Sequence, residues 1–166
     1  MSEKKPKKKR LKRMMWCGVI FLVICMLGYA LFEPYWLQID HSTRMVDNLP
    51  AELEGFRIVF LSDIHAGKRY NNERLRALVD TANSMKPDIV LLGGDFSENK
   101  EDFFTAMEEL SKLRSELGVF AVRGNHDTYL DAEAFSRALR ENGITPCENS
   151  AFKLSRQDKN IYIGGI

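Results

Sequence analysis

Carboxylate, imidazole and amide side chains follow three short apolar runs of this chain, each at the point where the run ends. The runs occupy residues 58–61, 89–92 and 119–122, and each is of the type that forms a buried strand. The polar residues that follow them are Asp63, His65, Asp95, Asn125, His126 and Asp127. Together they offer oxygen and nitrogen ligands without a thiolate, a set that suits divalent manganese, iron, zinc or nickel. The pattern therefore predicts a metal centre.

The spacing of these residues indicates how they would share the metal. Asp63 and His65 are two residues apart at a strand end, so their side chains point the same way and can hold one ion. Asp95, after the next strand, can bridge two ions, and Asn125 can hold the second. Two cations about 3.5–4 Å apart would polarise a phosphoryl group and generate hydroxide at neutral pH.

Two residues remain for proton chemistry. His126 is free to protonate a leaving oxygen or to stabilise phosphate charge. Asp127, next to it, is expected to set the tautomer of His126 by a hydrogen bond, without binding the metal itself. The sequence thus predicts hydrolysis of a phosphate ester by a water that the metals activate.

Alternating strands and helices would bring the three clusters together. Apolar residues at helical spacing predict helices over 72–85, 101–117 and 132–141, and two further short strands are predicted at 152–154 and 161–163. This alternation is typical of an α/β domain with adjacent parallel strands. Ligands bind beyond the carboxyl ends of such strands, so the clusters should meet at one edge of the sheet. Taken singly, the first two clusters are also typical of an ordinary turn or helix cap, whereas Gly-Asn-His-Asp at residues 124–127 is much rarer.

The three clusters resemble the first three motifs of the calcineurin-like metallophosphoesterase family. The resemblance covers about residues 50–166, and residues 57–62 with the amino-terminal apolar segment are most similar to its membrane-associated bacterial-type phosphodiesterases. It implies a four-layer α/β/β/α sandwich with a two-metal site. By that pattern Asp63 and His65 bind the first metal, Asp95 bridges both, Asn125 binds the second, and His126 is the catalytic histidine.

The later ligands of that family have no counterpart in this chain. The family uses one further histidine and then a Gly-His-x-His cluster, whereas the sequence has three histidines, and His41 precedes the first strand. The last residues, 161–166, also read as a strand. We therefore expect an amino-terminal portion of a longer enzyme. The alternative is a truncated, non-catalytic membrane protein that binds metal weakly or interacts through an exposed sheet edge.

Residues 14–32 form a run of 19 residues without a charge. As a helix this run would be about 28 Å long, close to the thickness of the hydrocarbon core of a bilayer. Trp16 lies at one end and Tyr29, Phe32, Tyr35 and Trp36 at the other, as in the aromatic belts of membrane proteins. The run is interpreted as a single transmembrane helix. Small residues at Gly28 and Ala30 would suit a signal peptidase, but the run is long for a signal peptide, which favours an uncleaved anchor.

Charge is distributed unevenly around the apolar run. Residues 1–13 carry eight Lys or Arg and one acidic residue, whereas acidic residues outnumber basic ones in the rest of the chain. The positive-inside rule then places the amino terminus in the cytoplasm and the body on the extracytoplasmic side. The predicted organisation is a basic tail (1–13), a transmembrane helix (14–32), a linker with a first extended segment (33–55) and a metallophosphoesterase domain incomplete at its carboxyl end (56–166).

Composition also limits the partners of the body. Its acidic balance argues against binding nucleic acid, which needs clustered Lys and Arg on the folded surface. Two of the three cysteines, Cys17 and Cys25, lie in the apolar run, so neither a disulfide scaffold nor a thiolate zinc site is expected. The expected partners are a phosphate-ester substrate, for which a lipid-linked phosphate would suit an anchored enzyme, and membrane lipid. The oligomeric state stays open.

Overall fold

A computed structural model describes residues 5–166, with the side chains of residues 8–33 and 35–166. The chain divides into two compact units, one ending at Arg44 and one running from Met45 to Ile166. Helix α1, Lys5–Phe32, dominates the first unit. Its part from Lys8 to Phe32 is long and apolar enough to cross a membrane, and an 18-residue stretch within it has a mean hydropathy of 2.3. The predicted span is therefore helical, and the helix also includes the described part of the basic tail.

The second unit is built on a four-stranded sheet with the order β1-β2-β3-β4, in which all neighbours are parallel. The strands are β1 (Ile58–Leu61), β2 (Ile89–Leu92), β3 (Val119–Ala121) and β4 (Thr145–Pro146). The first three confirm the prediction from the apolar runs. Strand β4 was not predicted, because two residues that include a proline give no periodic signal.

Three helices cover one face of this sheet: α2 (Asn72–Ser84), α3 (Lys100–Leu110) and α4 (Ala132–Glu141). Each begins at a polar residue whose side chain accepts a backbone N–H three residues later, namely Asn71, Asn99 and Asp131. Such caps satisfy donors that have no partner inside the helix. The helices and the sheet enclose a core that includes Val90, Phe103 and Phe135.

The prediction that α3 extends to residue 117 is wrong, because the helix ends at Leu110. Asn83 of α2 explains the early end. Its side-chain amide donates to the carbonyl of Lys112 at 3.0 Å and accepts the N–H of Arg114 at 2.7 Å. These bonds hold the backbone in a loop in place of continued helical hydrogen bonding. Gly118, with φ +114°, then leads the loop into β3.

An antiparallel hairpin lies on the other face of the sheet. It consists of β5 (Ser150–Arg156) and β6 (Lys159–Gly165), which extend the two short strands that the sequence predicted. Phe152 of the hairpin packs against Phe120 of the sheet, with their ring centroids 5.5 Å apart. Helices, sheet and hairpin give the layer sequence α/β/β. The predicted α/β class with a parallel sheet is thereby confirmed.

Strand β1 is covered on one side only. Val59 packs into the core beneath the helices, whereas Ile58 and Phe60, which point to the hairpin face, are 57% and 64% exposed. The hairpin thus covers β2 and β3 on this face but leaves the side chains of β1 open.

Candidate metal centre

The loops that follow β1 and β2 run side by side beyond the end of the sheet. The N–H of Asp63 donates to the carbonyl of Gly94 at 3.1 Å, and the N–H of His65 donates to the carbonyl of Asp95 at 3.0 Å. A parallel bridge between Ala66 and Ser97 follows. The first two clusters are therefore joined through their backbones, as the parallel topology predicts.

Two glycines allow the loops after β2 and β3 to touch. Gly94 has a φ of +93°, and a Cβ atom placed on it would collide with the backbone of Gly124. A Cβ atom on Gly124 would in turn collide with the side chain and the backbone nitrogen of Asp95. Only glycine permits this approach of the two loops.

Asp63, His65 and Asp95 form a group that could hold a metal ion, since one ligand atom of each lies within 4.8 Å of the other two. The Nε2 atom of His65 is 4.0 Å from Oδ2 of Asp95. Asp95 is buried, His65 is partly exposed and Asp63 is exposed. The three candidate ligands thus line a centre that is buried at Asp95 and open to solvent at Asp63.

All three residues of this group have a left-handed backbone, with φ values of +53° for Asp63, +45° for His65 and +55° for Asp95. Residues other than glycine seldom adopt this conformation, and when they do they cluster at functional sites, where the surrounding structure compensates the cost. Here the compensation includes the hydrogen bonds between the loops. All three residues of the group therefore have a backbone conformation that is typical of functional sites.

His126 lies beside this group. The centroid of its ring is 5.0 Å from that of His65, with the planes nearly perpendicular, and its backbone N–H donates to Oδ1 of Asp95 at 2.8 Å. Asn125, between Gly124 and His126, is exposed. The structure thus brings the cluster after β3 to the same edge as the first two clusters.

Asp127 has contacts that the sequence did not indicate. Its carboxylate is fully buried, and it accepts the backbone N–H groups of Asp95 at 2.8 Å, Phe96 at 3.0 Å and Gly124 at 2.8 Å. A fourth donor is the hydroxyl of Tyr129, at 3.1 Å. Among the described residues, no hydrogen bond joins this carboxylate to the imidazole of His126. Asp127 therefore ties the backbone of one loop to that of the next.

Sequence reasoning also missed Tyr129 and Ser97. The Tyr129 hydroxyl lies 2.7 Å from the Oγ atom of Ser97, which is fully buried. Burial, with the neighbouring charge of Asp127 adding to it, raises the pKa of Tyr129 well above its usual range, so this phenol stays protonated. Neither residue belongs to a recognisable pattern, and only the convergence of the loops gives them a role.

The fold and the group of candidate metal ligands are those of the metallophosphoesterase class, and the comparison of sequences agrees. The sequence pattern of the calcineurin-like phosphoesterases matches residues 56–163, which is most of the chain. The chain belongs to the calcineurin-like metallophosphoesterase family.

Several curated proteins are similar to this chain. A zebrafish protein named "transmembrane protein with metallophosphoesterase domain" is 34% identical over 126 residues, which are 73% of this chain and 29% of that protein. The uncharacterized metallophosphoesterase YkuE of Bacillus subtilis is 31% identical over 60% of this chain and 36% of its own length. The uncharacterized metallophosphoesterase YkoQ of the same species is 29% identical over 89% of this chain and 59% of its own length. The chain thus spans about a third of the length of YkuE and somewhat less of the zebrafish protein.

Proposed function

We propose that this protein is a membrane-anchored phosphoesterase that hydrolyses a phosphomonoester or phosphodiester at a two-metal site. The observation that carries the proposal is the group formed by Asp63, His65 and Asp95, whose ligand atoms lie within 4.8 Å of one another in a chain of this family. Carboxylate and imidazole donors fit divalent manganese, iron, zinc or nickel. Hard alkaline-earth ions are a poorer match for a site with a histidine ligand.

Asp63 and His65 would hold the first ion, and Asp95 would bridge it to a second ion that Asn125 helps to hold. The two oxygens of Asp95 have different neighbours. Oδ1 accepts the N–H of His126, while Oδ2 faces His65. When bound, the ions polarise the phosphoryl group and supply a hydroxide at neutral pH. The left-handed backbone of the three ligands keeps their donors converged before any ion arrives.

His126 would donate a proton to the leaving oxygen of the ester. Its ring is exposed, lies next to His65, and is carried by a backbone that is hydrogen bonded to Asp95. A proton donor placed this way can reach a substrate at the metal group without displacing a ligand. Asp127 would assist by holding the loop on which His126 sits, through the N–H of Gly124.

The enzyme would be anchored in a membrane, and its substrate would be a molecule of that membrane. Helix α1 is long and apolar enough to span a bilayer, and the zebrafish and bovine relatives are named as transmembrane proteins. The basic residues before the span support a cytoplasmic amino terminus and a catalytic domain on the extracytoplasmic side. Their contact with anionic lipid would hold the anchor in place. A lipid-linked phosphate is the substrate class that such an anchor brings closest.

The test measures Mn²⁺ binding by calorimetry and hydrolysis of an aryl phosphodiester, both with the full chain in detergent. We expect Asp95→Asn to weaken Mn²⁺ binding by more than tenfold, because Asp95 is the ligand that faces His65. We expect His126→Ala to bind Mn²⁺ nearly as the parent does and to lose about a hundredfold of the hydrolysis that the parent shows.

Matched controls are Asp80→Asn, at an exposed acidic residue of α2, and His41→Ala, at an exposed histidine outside the second unit. Both should bind metal and hydrolyse ester as the parent does. A parent chain that does not bind Mn²⁺, or an Asp95→Asn variant that binds it unchanged, would contradict the proposal.

A further inference from the structure

A tyrosine hydroxyl connects the loops on either side of the metal group. Tyr129 follows the His126 cluster, and its hydroxyl lies between Oδ1 of Asp127 at 3.1 Å and Oγ of Ser97 at 2.7 Å. Ser97 belongs to the loop after β2 and is bridged to Ala66 of the loop after β1. One phenol therefore contacts the loops of the second and third clusters, and through Ser97 it reaches the first.

The protons in this network are few. The Tyr129 hydroxyl donates to Asp127 and is also within hydrogen-bond distance of the Ser97 hydroxyl. The Ser97 hydroxyl donates to the carbonyl of Asn99 at 2.8 Å, and each hydroxyl has one proton. Ser97 and Asp127 are both fully buried, so water cannot replace a lost partner without a rearrangement.

The carboxylate of Asp127, which Tyr129 contacts, also holds the backbone at Asp95. Its other three donors are the N–H groups of Asp95, Phe96 and Gly124. These bonds fix the left-handed turn at Asp95 and its distance from the loop that carries His126. A rotation or shift of the Asp127 carboxylate would therefore move Asp95, a candidate metal ligand, although Asp127 is not itself a candidate ligand.

We infer that Tyr129 is a positioning residue for the metal centre, which holds Asp127 in the orientation that places Asp95 for metal binding. The inference rests on the proposed metal site. The phenol ring of Tyr129 packs against Phe103, with centroids 6.0 Å apart, so the hydroxyl can be removed while the packing of the ring is kept. Substitution of a residue that supports a metal ligand without binding the metal usually lowers the affinity for the metal by about 10–100-fold.

The experiment compares Tyr129→Phe with the parent chain in detergent, using Mn²⁺ affinity from calorimetry and the unfolding midpoint in the presence of a chelator. We expect the Kd for Mn²⁺ to rise about tenfold. Ser97→Ala, which removes the partner of the Tyr129 hydroxyl and leaves the ring in place, is expected to raise it about threefold. If Tyr129→Phe does not fold, Ser97→Ala decides: a rise in Kd of about threefold supports the inference, and an unchanged Kd overturns it.

Tyr70→Phe is the matched control, since Tyr70 is a partly buried tyrosine that packs on the same core. Its Kd for Mn²⁺ should stay within twofold of the parent value. A lower unfolding midpoint of Tyr129→Phe with an unchanged Kd would show a structural role alone and would overturn the inference. An equal loss of affinity in Tyr70→Phe would do the same. Absence of Mn²⁺ binding by the parent would instead contradict the proposed function, and the inference would fall with it.

Discussion

Asp95 combines more roles than any other residue of the metal group. Its backbone N–H is held by Asp127, its Oδ1 atom accepts the N–H of His126, and its Oδ2 atom faces His65. Two of these contacts come from the cluster after β3, and the third comes from the cluster after β1. The geometry of one aspartate therefore depends on both neighbouring loops, which is why its surroundings matter as much as its identity.

Gly124 permits the closest of these contacts, and we predict that Gly124→Ala separates the loops. A Cβ atom there would collide with the backbone nitrogen and the carboxylate of Asp95, neither of which can move freely. The expected result is a loss of about 2 kcal/mol in the free energy of unfolding together with loss of Mn²⁺ binding. Thermal unfolding followed by circular dichroism and calorimetry with Mn²⁺ measure the two effects.

Gly164→Ala is the control for that substitution, because a Cβ atom at Gly164 would be 3.9 Å from its nearest neighbour, a carbonyl of Ser150. It should leave metal binding and stability close to those of the parent. Normal Mn²⁺ binding by Gly124→Ala would show that the two loops do not need this approach.

The grouping of the candidate ligands could be predicted from the sequence, but the contacts that hold them could not. Asp63, His65 and Asp95 are visible because they follow apolar runs, and parallel strands bring such positions together. The contacts of Asp127 were predicted incompletely, since its partners Asp95 and Phe96 lie more than 30 positions away. Sequence adjacency suggested His126 as its partner, whereas the folded backbone supplies three N–H groups.

Among the elements, those with strong periodicity were predicted well. Helix α4 was predicted at residues 132–141 and found there, because its apolar stripe and its cap at Asp131 agree. The end of α3 was predicted wrongly, because it depends on Asn83 of another helix. A helix boundary that a distant side chain sets leaves no local signal.

Helices α2 and α3 are also joined by Glu109, and this contact makes stability depend on pH. Glu109 of α3 is buried and bonded to Lys112 at 2.7 Å and to Arg76 of α2 at 3.2 Å. These hydrogen bonds, that of Lys112 first, lower the pKa of the carboxyl against the cost of burial. A lowered folded-state pKa adds stability above the unfolded value of about 4.3, and this stability is lost as the pH falls further.

We predict that Glu109→Gln lowers the free energy of unfolding by about 1–2 kcal/mol at pH 7 and by much less at a pH below the lowered pKa of Glu109, where the parent has also lost the charge. Unfolding midpoints of the parent and the variant at the two pH values measure this difference. Glu108→Gln, at the exposed neighbouring position, should change little at either pH. A gap between Glu109→Gln and the parent that does not narrow in acid would contradict the assigned role.

In the whole molecule, the second unit carries the centre and the first unit carries the candidate anchor. The hairpin of β5 and β6 is fastened to the sheet by apolar contacts and by Arg156, which lies 3.2 Å from the buried carboxylate of Asp88. The sequence predicted both the span and the α/β class. It did not predict the pairing of the hairpin with the face of β2 and β3, since two short alternating runs fit either face of a sheet.

The proposed sidedness yields a prediction for the anchor. Alkaline phosphatase fused after Arg44 should be active, because it would be exported with the body, whereas a fusion after Arg13 lacks the apolar run and should be inactive. Green fluorescent protein fused at the same positions should give the opposite pattern. An inactive phosphatase at Arg44 with a fluorescent partner fusion would place the body in the cytoplasm.

The parallel arrangement of the strands determines when the loops meet as well as where. Every hydrogen bond that joins the loop of Asp63 to that of Gly94, or the loop of Asp95 to that of Asp127, closes a stretch of 30 residues or more. Closing long stretches is entropically costly and slow, so these contacts form after the local turns and helices. Short peptides copied from the individual loops would consequently lack the converged donors, and affinity for an ion should emerge only late in folding, once the crossover helices have docked.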